Sequence, residues 1–182
     1  MMTRDDIFNE LDRIAPGNYN HVTISGGNPL LNKGFEPFVE AAKARGIRLA
    51  VETQGTKFQP WLTLIDEVTI SPKPPSSGMD TDFTKLEYMM SNLAPHQFNL
   101  KVVVFDDDDF EYAKMIHLKY PDAEFYLQVG NPYLGERVEA HTEKLLQRYE
   151  NLVDKVMNDK ELLNVRVLPQ LHTLLWSNKQ GV

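Results

Sequence analysis

The sequence predicts an α/β protein built on a parallel sheet, either open or curled into a partial barrel. Three observations carry this. About six short apolar segments rich in strand formers alternate with segments of helical periodicity along all 182 residues. No internal repeat or low-complexity linker interrupts the alternation, so residues 1–182 read as one domain. The residues that follow each strand are small, polar or conformationally special, as expected where such sheets present their carboxyl rim.

The elements follow in order. Thr3 with Asp6 forms a helix N-cap pair, Ile7, Leu11 and Ile14 recur at helical spacing, and Pro16-Gly17 ends the helix. His21 to Ser25 reads as a strand. From Phe35 the positions Phe38, Val39 and Ala42 share a helical face that Gly46 closes. Ile47 to Thr53 is a strand, Lys57 to Asp66 a short helix, and Glu67 to Ser71 the next strand. The loop 76-SSGMD-80 has the composition of a flexible connection. Phe83, Leu86, Met90 and Leu93 fit a helix that Pro95 stops, and Phe98 to Phe105 is a strand.

Asp106 to Asp109 open a helix that runs to Tyr120; four acids there complement the helix dipole and read as a solvated cap. Glu124 to Val129 is a strand. A long helix follows with Leu145, Tyr149, Leu152 and Val156 on one face. Val165 to Leu168 is the last strand, and Pro169 begins a final helix carrying Leu171, Leu174, Leu175 and Trp176, the tryptophan read as packing.

Bulk properties narrow the function classes. Hydrophobic residues make up 42% and charged residues 25%, an ordinary globular balance. The net charge of -7 argues against a nucleic-acid partner. The absence of cysteine excludes disulfides, thiolate metal sites and cysteine nucleophiles from these residues. No apolar run approaches the roughly 18 residues of a membrane span, and the acidic start MMTRDDIFNE is unlike a signal peptide. A cytoplasmic protein without a membrane partner is expected.

Reading off the strand ends collects the candidate site. They are Ser25-Gly26-Gly27-Asn28-Pro29, Glu52-Thr53-Gln54-Gly55-Thr56, Ser71-Pro72-Lys73, Gln128-Val129-Gly130-Asn131 and Pro169-Gln170-Leu171-His172. A Glu, a Lys, three Gln and a His on one rim favour a polar ligand. Gly26-Gly27 serves either a ligand's approach or a tight turn. Lys101 alternates with Val103 and Phe105, facing either solvent or the sheet's interior side. His172, beside leucines, reads as structural on its own. No phosphate loop, GxGxxG, paired-histidine spacing or nucleophile triad is legible.

The segments VTISGGNPLL, VETQGT, TISPKPPS, LKVVVF, FYLQVGN and RVLPQLHTLLW, in this order, resemble the 7-carboxy-7-deazaguanine synthases of the radical S-adenosylmethionine superfamily. VTISGGNP is shared loosely across that superfamily; SPKPPS and the VLPQLHTLLW ending are more specific. The resemblance covers essentially the whole chain. It implies a partial (β/α) barrel and a ring contraction of 6-carboxy-5,6,7,8-tetrahydropterin with loss of ammonia, in queuosine and deazapurine biosynthesis. It also implies S-adenosylmethionine, a [4Fe-4S] cluster and Mg2+ as cofactors, a homodimer, and an electron donor such as flavodoxin or ferredoxin.

By the same resemblance, Gly26, Gly27 and Asn28 would meet the methionine end of S-adenosylmethionine, with Asn28 standing where the family often has Glu. Ser71, Pro72 and Lys73 would line its ribose and carboxylate, and Glu52 with Gln128, Val129, Gly130 and Asn131 would complete the pocket. Thr23 and Ser25 would face the pterin, and His172 with the terminal carboxylate of Val182 would close over it.

The family's first strand, its Gln-Gly-Glu-Gly substrate loop, the CxxxCxxC cluster loop and the magnesium-binding Thr have no counterpart among these residues. The resemblance therefore implies the C-terminal three-quarters of the barrel, inactive by itself and with an exposed strand edge at His21 to Ser25. A cluster-less protein that binds S-adenosylmethionine or pterin is the alternative. A radical S-adenosylmethionine activase is a third reading, disfavoured by the VLPQLHTLLW ending.

Overall fold

A computed structural model describes residues 2–133 and 139–179. The helices are α1 (Arg4–Ile14), α2 (Glu36–Ala44), α3 (Phe83–Ser91), α4 (Asp107–Lys119), α5 (His141–Asn158) and α6 (Leu171–Trp176). The strands are β1 (His21–Ile24), β2 (Arg48–Thr53), β3 (Glu67–Ile70), β4 (Phe98–Val104), β5 (Glu124–Val129) and β6 (Arg166–Leu168). They form one parallel sheet in sequential order β1 to β6, left open among the described residues. The expected α/β class, the six strands and the partial-barrel topology are all present.

The chain divides into two compact units, residues 1–71 with 82–99 and residues 72–81 with 100–182. In the first, Thr3 closes a capping box with Asp6 at the start of α1. Phe8 of α1 packs against Phe38 of α2 with tilted rings, centroids 5.1 Å apart, and the Arg45 guanidinium lies over the Phe8 ring. β2 alternates strictly: Leu49, Val51 and Thr53 are buried, Ala50 and Glu52 half-buried. Its register pairs Thr23 with Ala50 and Glu52 with Thr69, so these four lie on the less buried face. Fully covering an aliphatic side chain such as Leu49 contributes about 1.5–3 kcal/mol; the face that keeps Thr23 and Glu52 gives up part of that and stays polar.

The second unit repeats the pattern. Leu100, Val102 and Val104 of β4 and Phe125, Leu127 and Val129 of β5 are buried, while Lys101, Tyr126 and Gln128 are half-buried. β5 pairs with β6 through Gln128 and Leu168, and the Tyr149 hydroxyl on α5 donates to the Val167 carbonyl. Lys114 on α4 bonds Asp159 and Glu161 at 2.7 and 2.6 Å; these hydrogen bonds raise its ammonium pKa and hold the Asp159 carboxyl below its ordinary range.

Local differences from expectation have identifiable causes. The Lys57–Asp66 helix is a short 3-10 turn, Pro60–Leu64, because Pro60 starts it and the chain must turn into β3 within a few residues. Met89, not its neighbour Met90, faces the core of α3. The 76–80 loop is pinned by hydrogen bonds rather than loose. Asp109 leaves the expected solvated cap: it is fully buried, while Asp106, Asp107 and Asp108 are exposed. Trp176 does not pack inside; α6 buries only Thr173, and the indole is 47% exposed.

Candidate functional site

The first unit opens its site where β1 ends. Gly26 and Gly27 have φ of 95° and 55°, and a side chain added at either would meet no atom within 4 Å. The glycines are there for backbone conformation, and the space beside them is free. A cavity of about 830 Å³ lies against Ser25, Gly26, Asn28, Lys33 and Phe35. That exceeds what a small polar ligand needs.

Asn28 shapes this turn. Its amide nitrogen donates to Thr56 Oγ1 at 2.9 Å, and its oxygen accepts from the Leu30 N–H at 3.3 Å and Thr53 Oγ1 at 3.1 Å. Both lone pairs of the oxygen are thus engaged inside the protein, stapling the loop after β1 to the loop after β2. Behind it, an added side chain at Gly55 would press on Ile70 and Leu86 at 2.9 and 3.0 Å, so close packing sets that position. Ser71 is buried and its N–H donates to the Thr53 carbonyl at 2.6 Å. Thr23 and Ser25 are exposed and Glu52 is half-buried.

The second unit carries the remaining predicted residues. Pro72 is buried and Lys73 half-buried, on a loop whose Ser76 N–H and hydroxyl donate to the Asp109 carboxylate at 3.0 and 2.6 Å. Gln128 is half-buried and donates to the Pro169 carbonyl at 3.2 Å, holding the chain that leads into α6. Val129 points into the core at 4% exposure, so only its backbone is available at the rim. An added Cβ at Gly130 would lie 2.6 Å from the Phe105 ring, which fills the place a side chain would take.

Asn131 is buried and tied within the protein. It donates to Asn178 Oδ1 at 2.9 Å and accepts from the Tyr133 N–H at 3.0 Å; the Asn178 amide in turn donates to the Tyr133 carbonyl at 2.7 Å. This amide pair anchors the segment after α6 to the loop after β5. His172 is exposed on α6, and Val182 lies outside the described residues.

Sequence reasoning collected Thr56 at its strand end without giving it a role, and missed Ser76, Asp109 and Asn178 as site-shaping residues. Asp109 had no signal of its own, being one of four identical neighbours. Among the described residues no group of three or more His, Cys, Asp or Glu side chains gathers as a metal site.

No protein-family model matches the chain. A 7-carboxy-7-deazaguanine synthase of Bacillus cereus (strain ATCC 14579) is 53% identical over 182 residues, spanning 100% of this chain and 76% of that protein. The protein of the same name in Bacillus subtilis (strain 168) is also 53% identical, over 189 residues with the same coverage. Among solved structures, QueE from Escherichia coli superposes with a TM-score of 0.57 at 20% identity, covering 93% of this chain and 64% of that one. Streptococcus suis SuiB bound to S-adenosylmethionine gives 0.62 at 12% identity, covering 95% and 44%. At such identities the two structures speak to the fold.

Proposed function

The chain belongs to the 7-carboxy-7-deazaguanine synthase family, and from that premise we propose that it serves the ring contraction of 6-carboxy-5,6,7,8-tetrahydropterin to 7-carboxy-7-deazaguanine with loss of ammonia. The observation that carries this is the 53% identity sustained over all 182 residues. The family's enzymes are radical S-adenosylmethionine lyases, and membership of that family at 53% identity is what supports S-adenosylmethionine as the cofactor.

The residues fit S-adenosylmethionine. Its methionine end is a zwitterion needing carbonyl acceptors for the ammonium and N–H donors or a cation for the carboxylate. Gly26 supplies unscreened backbone at the cavity, and Gly27 follows it with no atom in the way of a side chain. With its oxygen already engaged, Asn28 orients that backbone rather than replacing it. On the family resemblance, Ser71, Pro72 and Lys73 are proposed for the ribose and carboxylate, and Gln128, Val129, Gly130 and Asn131 for further cofactor contacts. Glu52, Thr23, Ser25, His172 and Val182 complete the cofactor and pterin contacts in this proposal.

The residues do not fit an iron–sulfur cluster. Such clusters are held by thiolates, and these 182 residues contain no cysteine. This chain's residues account for binding and orientation, and no radical step is derived through them. A Mg2+ ion, a homodimer, an external electron donor and a cytoplasmic location remain part of the proposal on the family resemblance. No helix among the described residues is long and apolar enough to cross a membrane.

The test is calorimetric titration of the chain with S-adenosylmethionine and, separately, with the pterin, alongside mass spectrometry for 5'-deoxyadenosine and 7-carboxy-7-deazaguanine. Binding of both ligands is the expected result; binding of neither overturns the proposal. The missing cysteines favour a second reading for these residues taken alone, ligand binding without radical chemistry, which 5'-deoxyadenosine formation would exclude.

A further inference from the structure

We propose that Asp109 is a positioning residue that sets the loop carrying Lys73, a role that rests on reading Lys73 as a contact to S-adenosylmethionine. The side chain is fully buried at the start of α4. A buried carboxylate is costly unless donors surround it. Here three do: the Ser76 N–H at 3.0 Å, the Ser76 hydroxyl at 2.6 Å and the Phe105 N–H at 2.9 Å. None of these donors belongs to α4. The capping of α4 itself falls to Asp106, whose side chain accepts from the Asp109 N–H at 3.0 Å. The helix therefore does not need the Asp109 carboxylate for its own start; the carboxylate serves the loops.

The same helix grips the loop a second time. The Thr81 hydroxyl lies 3.3 Å from the Lys73 carbonyl and 2.6 Å from the Tyr112 hydroxyl. A hydroxyl has one proton, so when Thr81 donates to Lys73 it is Tyr112 that donates to Thr81. Between the two grips the chain reads Pro72-Lys73-Pro74-Pro75-Ser76. Proline fixes its own φ, and the residue before a proline is held in extended backbone. Lys73 thus sits in a segment the sequence has already stiffened, and what is left open is its orientation as a unit. Asp109 at Ser76, with Tyr112 through Thr81, removes that freedom. Through the Phe105 N–H, one carboxylate ties the loop after β3 to the turn after β4.

The experiment compares the unaltered chain with Ser76→Ala, Asp109→Asn and Asp109→Glu. Two readouts are taken by mass spectrometry: amide hydrogen exchange, and acylation of the Lys73 amine with and without S-adenosylmethionine. S-adenosylmethionine is expected to slow acylation of Lys73 in the unaltered chain. Ser76→Ala is expected to speed exchange across residues 72–81 about tenfold, the loss of one charge-assisted bond, with β4 and β5 unchanged. The concentration of S-adenosylmethionine that protects Lys73 should rise by a similar factor. Asp109→Asn should go further in both readouts, and Asp109→Glu, which keeps both acceptors, should recover part of each. Unchanged exchange across 72–81 in both Ser76→Ala and Asp109→Asn overturns the grip. A loosened loop with undiminished protection of Lys73 overturns the positioning role. Lys73 left unprotected in the unaltered chain overturns the cofactor reading, while exchange still judges the grip.

Discussion

At the scale of single residues, glycines that look alike in the sequence are held by different constraints. Gly26 and Gly27 are constrained by chirality: their φ values of 95° and 55° disfavour any L side chain although the space around them is free. Gly26→Ala is expected to cost about 1–2 kcal/mol from the left-handed backbone alone and to weaken S-adenosylmethionine binding, since the strained turn no longer presents its amides. Thermal denaturation together with calorimetry checks this; normal affinity in a folded Gly26→Ala chain would detach the turn from the cofactor. The turn at the Gly-Gly pair was legible because glycine takes positive φ without steric cost. Asn131 was legible as a rim residue but not in its partners, because Asn178 lies 47 positions away and only the fold joins them.

Elements show where local pattern suffices. Strand positions followed from runs such as Leu100–Val104 and Phe125–Val129, whose alternation survives in the burial of every second side chain. The turn at 60–64 and the inward methionine of α3 were not legible. Short apolar stretches carry no usable period, and Met89 and Met90 differ only in which way the helix rotates. The join between α2, β2 and the approach to β3 shows a pH-dependent contact. Asp66 accepts from Lys43 Nζ at 2.5 Å and from the Leu49 N–H at 2.7 Å. Burial pushes its carboxyl upward, but the hydrogen bonds from Lys43 and Leu49 and the nearby positive charges outweigh this and hold it below the ordinary value. A depressed carboxyl contributes stability above its unfolded value near pH 4 and loses it as pH falls through the folded value. Asp66→Asn is therefore expected to cost about 1–2 kcal/mol at pH 7, with the difference shrinking below about pH 4. Urea denaturation from pH 2 to 7 reads this; a difference constant over that range contradicts it.

For the whole molecule, charge and the sheet edge act together. β1 ends the sheet, and its outer side is not paired with another described strand. Such an edge is a template for association, opposed here by a net charge of -7. Self-association is expected to grow as pH approaches the pI near 5.2 and to fall when Val22 on that edge becomes lysine. Light scattering between pH 5 and 8 measures both; scattering indifferent to pH and to Val22→Lys removes the edge from the explanation. The parallel class and the six strands were legible in the alternation along the chain; the sequential order was not, because an open doubly wound sheet alternates in the same way. The division into two units was not, because residues 72–81 join a later part of the chain through Ser76, Asp109 and Tyr112, contacts that composition does not announce.

The Phe105 ring stands where a side chain at Gly130 would go, while the polar contacts of Phe105 run through its backbone: the N–H to Asp109 and the carbonyl to Arg148. Volume can therefore be exchanged between positions 105 and 130 without disturbing those bonds. A methyl group gained at 130 is admissible when the ring at 105 gives way to a smaller aliphatic side chain, so the two positions should vary as a pair in any selected library. Positions 26 and 27 have no such trading partner, since no neighbour can change the handedness of a turn.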